Sequence, residues 1–142
     1  MTDQDLISKA RGFIDAFNAD DWARYDELMA KNGVYNEIGT GRQLRGAGEI
    51  VTALKGWKQA MPDVTGTVTS AVASGNRATL EVTWKGTQTG PFVGERGTIP
   101  PSGKSQTTPS AFLFDFDGGK IAEGRIYFDM LSLLQQIGAI PG

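Results

Sequence analysis

The chain has 142 residues, the length of one ordinary domain, and contains neither cysteine nor histidine. That excludes thiolate nucleophiles, sulfur-ligated zinc, Ser-His-Asp triads and HExxH sites, and leaves any proton transfer to Asp, Glu, Tyr, Lys or water. With 14 basic and 16 acidic residues, net charge -2, there is no basic footprint for nucleic acid, and no run approaches the roughly 20 apolar residues of a membrane span.

Leu6, Ile7, Ala10, Phe13, Ile14 and Phe17 recur at helical spacing, with Thr2 and Asp5 as a capping box. The start is acidic and amphipathic, unlike a signal peptide, so a cytoplasmic protein is expected. Asn18-Ala19-Asp20 breaks the helix, and Asp20 or Asp21 is expected to cap a short second one carrying Trp22, Tyr25, Leu28 and Met29. A strand is predicted over Val34 to Ile38, ended by Gly39-Thr40-Gly41. A third helix fits Ala47 to Ala60, with Ile50, Leu54, Trp57 and Met61 on one face.

The period then changes to two. Val64, Val68 and Val72 alternate with Thr65, Thr67 and Thr69; after a turn at Gly75-Asn76, Leu80, Val82 and Trp84 alternate with Glu81, Thr83 and Lys85. A Gly/Pro-rich connection, about Thr87 to Gly103, includes Gly97-Thr98-Ile99-Pro100-Pro101-Ser102-Gly103-Lys104-Ser105. That stretch is no phosphate-binding loop: it has one residue too many between the glycines, two prolines, and a strand after it. It reads as an edge loop or lid. Strands over Lys104 to Asp115 and Lys120 to Phe128 follow, joined by Asp117-Gly118-Gly119, and Met130 to Ile137 reads as a terminal helix. Helices first and strands afterwards make a single α+β domain over residues 1–142. The expected form is a curved antiparallel sheet with helices on its concave side and a pocket between them.

Most of the acidic residues can be set aside by position. Asp3, Asp5, Asp20 and Asp21 sit at helix starts; Asp15, Asp26, Glu27 and Glu49 fall on polar helix faces. Asp63, Glu95 and Asp117 belong to turns or loops, and Glu81 points away from Trp84. Glu37, Asp115, Glu123 and Asp129 remain. Glu123, Arg125, Tyr127 and Asp129 share one parity of the last strand, a polar set expected to face the pocket. Asn36 lies opposite in parity to Tyr35 and Glu37, and Gln88 matches Trp84, so both amides are expected to point inward.

Three stretches resemble successive motifs of the SnoaL-like polyketide cyclase family: Gln59-Ala60-Met61-Pro62-Asp63, Trp84-Lys85-Gly86-Thr87-Gln88-Thr89-Gly90-Pro91-Phe92, and Ile99-Pro100-Pro101-Ser102-Gly103-Lys104. So do Gly119 to Asp129 and Leu133-Leu134-Gln135-Gln136-Ile137-Gly138. The resemblance implies the nuclear transport factor two-like fold, a cone of curved mixed or antiparallel sheet around amino-terminal helices. It implies a cofactor-independent, metal-free enzyme, a cyclase or isomerase acting on an apolar, carbonyl-bearing or polycyclic small molecule, and a homodimer. The outer sheet face around Thr65, Thr67, Thr69 and Thr83 is the expected interface.

By the same resemblance Asp129 is the catalytic acid/base, although it would equally cap the helix that follows. Tyr127 would donate to a developing enolate. Asn36 and Gln88 stand where many relatives carry His and would bind ligand rather than move protons. Arg125 is a ligand contact or the partner of Glu123 or Glu37. Phe13, Phe17, Trp22, Trp57 and Trp84 are candidate pocket walls. Two other readings remain open: a non-catalytic binding domain, and epoxide hydrolysis by Glu37, Asp129 and Asn36 around a water.

Overall fold

Thr2 opens the first helix as expected. Its hydroxyl accepts from the Asp5 N–H at 3.1 Å while the Asp5 carboxylate accepts from the Thr2 N–H at 2.9 Å, and helix α1 runs over Asp3–Asn18. The structure is a computed structural model that describes residues 1–94 and 96–142; Glu95, expected in a loop, lies outside the described residues.

The next turn corrects the sequence reading. Helix α2 covers only Arg24–Leu28; its first cap is Ala23 and no side chain closes it. Asp20 instead takes a left-handed backbone (φ 55), which reverses the chain after α1. Met29, expected on that helix, begins strand β1 (Met29–Glu37). β2 (Arg42–Arg45) went unpredicted, being a short polar edge strand paired antiparallel to β1. Helix α3 then spans Gly46–Ala60.

β3 (Thr65–Ser74) and β4 (Arg77–Thr87) form the expected hairpin. Inside the Gly/Pro-rich connection, β5 (Phe92–Gly94) and β6 (Gly97–Ile99) pair as a separate two-stranded flap, another element the composition concealed. β7 (Ser105–Asp117) and β8 (Lys120–Phe128) are joined by Gly118 and Gly119, with φ of 57 and 81, the primed turn that suits strand twist. Helix α4 covers Met130–Gln136.

The main sheet has the order β2-β1-β8-β7-β4-β3. It is mixed: β1 runs parallel to β8 and every other pair is antiparallel. α1 lies across β3 and β4 and α3 across β1, so the helices cover one face of the sheet. Register shifts between Val68 and Ser70 and between Asp115 and Phe116 increase local twist. The core joins Leu6, Ala10, Phe13, Ile14 and Phe17 of α1 to Tyr35, Leu80, Val82, Phe112, Phe114 and Ile121 of the sheet. No helix of the described residues is long and apolar enough to cross a membrane.

Candidate active site

The concave face and the helices enclose a cavity of about 70 Å³. At roughly 10–15 Å³ per water centre, that holds about five waters or a small ring. Its wall is rich in aromatic rings: Phe13 and Phe17 from α1, Tyr35 from β1, Trp57 from α3, Trp84 from β4, Phe112 from β7 and Phe128 after it on β8. Phe13, Phe17, Trp57 and Trp84, candidate pocket walls from sequence, line this cavity. Trp22 is not on this wall; it stacks on Tyr25 (6.3 Å between ring centres) and meets the edge of Phe17.

Among the described residues one carboxylate reaches the wall, and it is Glu37, only 2 % exposed. Its Oε1 accepts from Thr40 Oγ1 (2.9 Å) and Arg42 Nε (2.7 Å), and Oε2 accepts from Trp57 Nε1 (2.9 Å). The buried charge is therefore balanced by Arg42 and hydrogen-bonded on both oxygens, the condition for keeping a carboxylate in an apolar surrounding. The turn Ile38–Gly41 makes this possible by bringing β2, and with it Arg42, back alongside the end of β1.

Tyr35 sits two residues earlier on the same face of β1. Burial pushes its phenol well above the ordinary tyrosine range, and the Glu37 charge pushes the same way. Tyr35 is accordingly a fixed O–H donor. Buried Tyr25 gives its hydroxyl to the Phe13 carbonyl (2.6 Å), whereas the Tyr35 hydroxyl makes no hydrogen bond to a described residue. Gly124 of β8 explains how the Tyr35 ring fits: a Cβ there would come within 3.1 Å of the ring.

The polar set expected in the pocket lies elsewhere. On β8 it is Gly124, Ile126 and Phe128 that turn inward, and Tyr127 is 44 % exposed. Arg125 lies on the outer face, where it reaches Asp115 and Glu123 at 3.2 Å each, and Asp115 in turn holds Arg77 at 2.6 Å. Asn36 joins the same outer network, donating to Glu123 (3.2 Å) and accepting from Gln43 (3.1 Å). The physical reason is desolvation: a charge ladder across three strands stays hydrated outside, while the inner face takes the apolar partners.

Asp129 is exposed, and its Oδ1 accepts from the Ser132 N–H at 3.0 Å, capping α4. Its neighbours Phe128 and Leu133 reach the cavity wall and Asp129 does not. Gln88 is fully buried as expected, but off the cavity wall. Its Nε2 faces the carbonyls of Gly90, Ile99 and Pro100 (3.2–3.4 Å), and its backbone bonds to Lys104 and Gly103, so it clasps both ends of the β5–β6 flap. Asn36, Glu37 and Asp129 therefore do not converge on one water site.

Three wall residues escaped sequence reading as ligand groups: Tyr35, Gln106 and Thr108. Glu37, a candidate from sequence in the epoxide reading, stands on the cavity wall without Asn36 or Asp129 beside it. Tyr35 carried the usable signal, since a large aromatic marks the buried parity of a half-exposed strand and Glu37 shares it. Among the described residues, no group of three or more acidic side chains is placed to hold a metal ion.

Comparison with known proteins agrees with this architecture. The family model for SnoaL-like polyketide cyclase matches residues 8–137. TsrD from Streptomyces laurentii superposes with a TM-score of 0.84 at 24 % identity, covering 99 % of both chains. A protein of Jannaschia sp. CCS1 described as a SnoaL-like polyketide cyclase gives 0.82 at 21 % identity, over 98 % of this chain and 95 % of its own. An epoxide hydrolase of M. tuberculosis, similar to the limonene type, gives 0.70 at 19 % identity, over 96 % and 92 %. At these identities the likeness shows the fold alone. The curated proteins contain no match.

Proposed function

The chain belongs to the SnoaL-like polyketide cyclase family, and we propose that it moves a proton at a carbon next to a carbonyl of a small, mainly apolar molecule held in the cavity. The observation that carries this reading is the pair on β1: one buried carboxylate, Glu37, and one buried phenol, Tyr35, without a hydrogen-bond partner among the described residues, on the same face of a largely apolar wall. Glu37 takes the proton from carbon, and the C–H electron pair moves into the enolate. The Tyr35 O–H donates to the enolate oxygen as charge gathers there. The enolate then either regains a proton at carbon or attacks a second carbonyl of the same molecule, closing a ring.

Cyclohexanone in heavy water tests this directly, because exchange of its α-hydrogens needs only the first half of the reaction. The protein should speed deuterium uptake. Glu37→Gln should slow it by about 10²–10⁴-fold and Tyr35→Phe by about 10²–10³-fold. Asp129→Asn should leave the rate unchanged, since asparagine caps a helix as well as aspartate does. The reverse pattern, with Asp129→Asn inactive and Glu37→Gln active, would return the proton to Asp129. Binding without turnover is the second reading, favoured by the three donors that already occupy Glu37. Ketone bound with no exchange would establish it.

A further inference from the structure

Gln106 and Thr108 are both only 3 % exposed and both line the cavity, yet nothing in the proton transfer uses them. Thr108 Oγ1 donates to Gln106 Oε1 at 2.6 Å, which fixes the amide with its nitrogen turned away from Thr108. That Nε2 carries two hydrogens, and its one partner among the described residues is the Met61 sulfur at 3.6 Å, a weak acceptor. A buried amide N–H left so poorly paired costs free energy unless something arrives to accept from it.

The pair is also remote from Glu37. Glu37 pairs with Ile126 of β8, which pairs with Phe112 of β7. Thr108 and Gln106 lie four and six residues before Phe112 on that strand, and their side chains enter the same cavity from a different part of its wall. The cavity therefore has two polar ends separated by aromatic wall.

We propose that Gln106, oriented by Thr108, is a second binding subsite that reads a neutral acceptor oxygen, a carbonyl or similar group, at the end of the ligand away from the reacting carbon. The inference rests on the cavity reading above and narrows its ligand class to molecules with two oxygen functions on an apolar body. Thr108 acts as a positioning residue, since its hydroxyl holds the amide rather than the ligand.

The test compares cyclohexane-1,4-dione with 4-methylenecyclohexanone, which differ by one oxygen replaced with a methylene of similar shape. Binding is followed by two-dimensional ¹H–¹⁵N NMR, with the Gln106 side-chain amide as the local signal. The dione should bind about 5- to 150-fold more tightly and shift that amide. Gln106→Met should abolish the preference. Thr108→Val should reduce it in a folded protein. Equal binding of the two probes, or a preference that survives Gln106→Met, overturns the subsite and leaves the Glu37 reading standing. Failure of both probes to shift any cavity residue overturns the two together.

Discussion

Replacing Tyr25 by phenylalanine should destabilise the protein at neutral pH and stabilise it in strong alkali. The ring is fully buried and its hydroxyl gives a 2.6 Å hydrogen bond to the Phe13 carbonyl. Losing that bond, with the shape kept, costs about 1 kcal/mol near pH 8. Burial pushes the phenol far up from the ordinary value of 10, with Asp21 adding to the shift. The folded state thus holds the proton while the unfolded chain releases it. The tyrosine's contribution is complete below about pH 10 and falls by about 1.4 kcal/mol per pH unit above it. By pH 12 the loss reaches about 2.7 kcal/mol, so the two stability curves should cross between about pH 10.5 and 11. Urea unfolding followed by far-ultraviolet circular dichroism from pH 8 to 12 measures both curves. Parallel curves would refute the reasoning, because they would mean that Tyr25 ionises equally in the folded and unfolded chain. Tyr35 is raised by the same cause, and the double phenylalanine variant should flatten the alkaline limb further.

Three other outcomes are expected. Asp129→Ala should lower stability by about 1 kcal/mol through loss of the bond to Ser132, with Asp129→Asn within a few tenths of the parent, both read by urea titration. Asp115 is held below the usual carboxylate range by its hydrogen bonds from Arg77 and Arg125. Its stabilisation is present above about pH 4 and lost as pH falls through the folded value, so Asp115→Asn should shallow the acid limb below that point while costing at most about 1 kcal/mol at pH 7. Gln88→Ala should free the β5–β6 flap from its clasp. Protease cleavage within residues 89–103 should then quicken about tenfold or more, with little change in global unfolding.

The helical and hairpin elements were legible because each carries local chemistry: the Thr2–Asp5 box, the periodic apolar face of α3, the paired glycines before β8. β2, β5 and β6 were not, since strands of three or four residues have too few positions to show a period, and tertiary pairing alone makes them. The site was legible in its aromatic wall and misread in its polar groups. On β8 the inward parity carries Gly124, Ile126 and Phe128, and the outward parity carries charges whose direct partners outside β8 come from β1 and β7. Ile126 and Phe128 mark the buried side within the strand itself, whereas the partners that make the other side an ion-pair network lie on strands distant in sequence. Gln88 is a further lesson: it is buried as its parity predicts, and its amide nitrogen faces three backbone carbonyls of the flap.

The position of β8 sets the order in which this molecule can be assembled. It is the last strand in the sequence but an interior strand of the sheet, lying between β1 and β7. Until residues 120–128 have been made, β1 and β2 have no sheet neighbour joining them to the β3–β4–β7 half, and the strand carrying Tyr35 and Glu37 lacks its partner in the sheet. Contacts spanning nearly ninety residues, Asn36 beside Arg125 among them, must close before the cavity exists. Such closure slows folding, and before it the apolar edges of two half-sheets stand open to other chains. A nascent or truncated chain ending before β8 would accordingly be an aggregation-prone pair of fragments rather than a weaker version of the same protein.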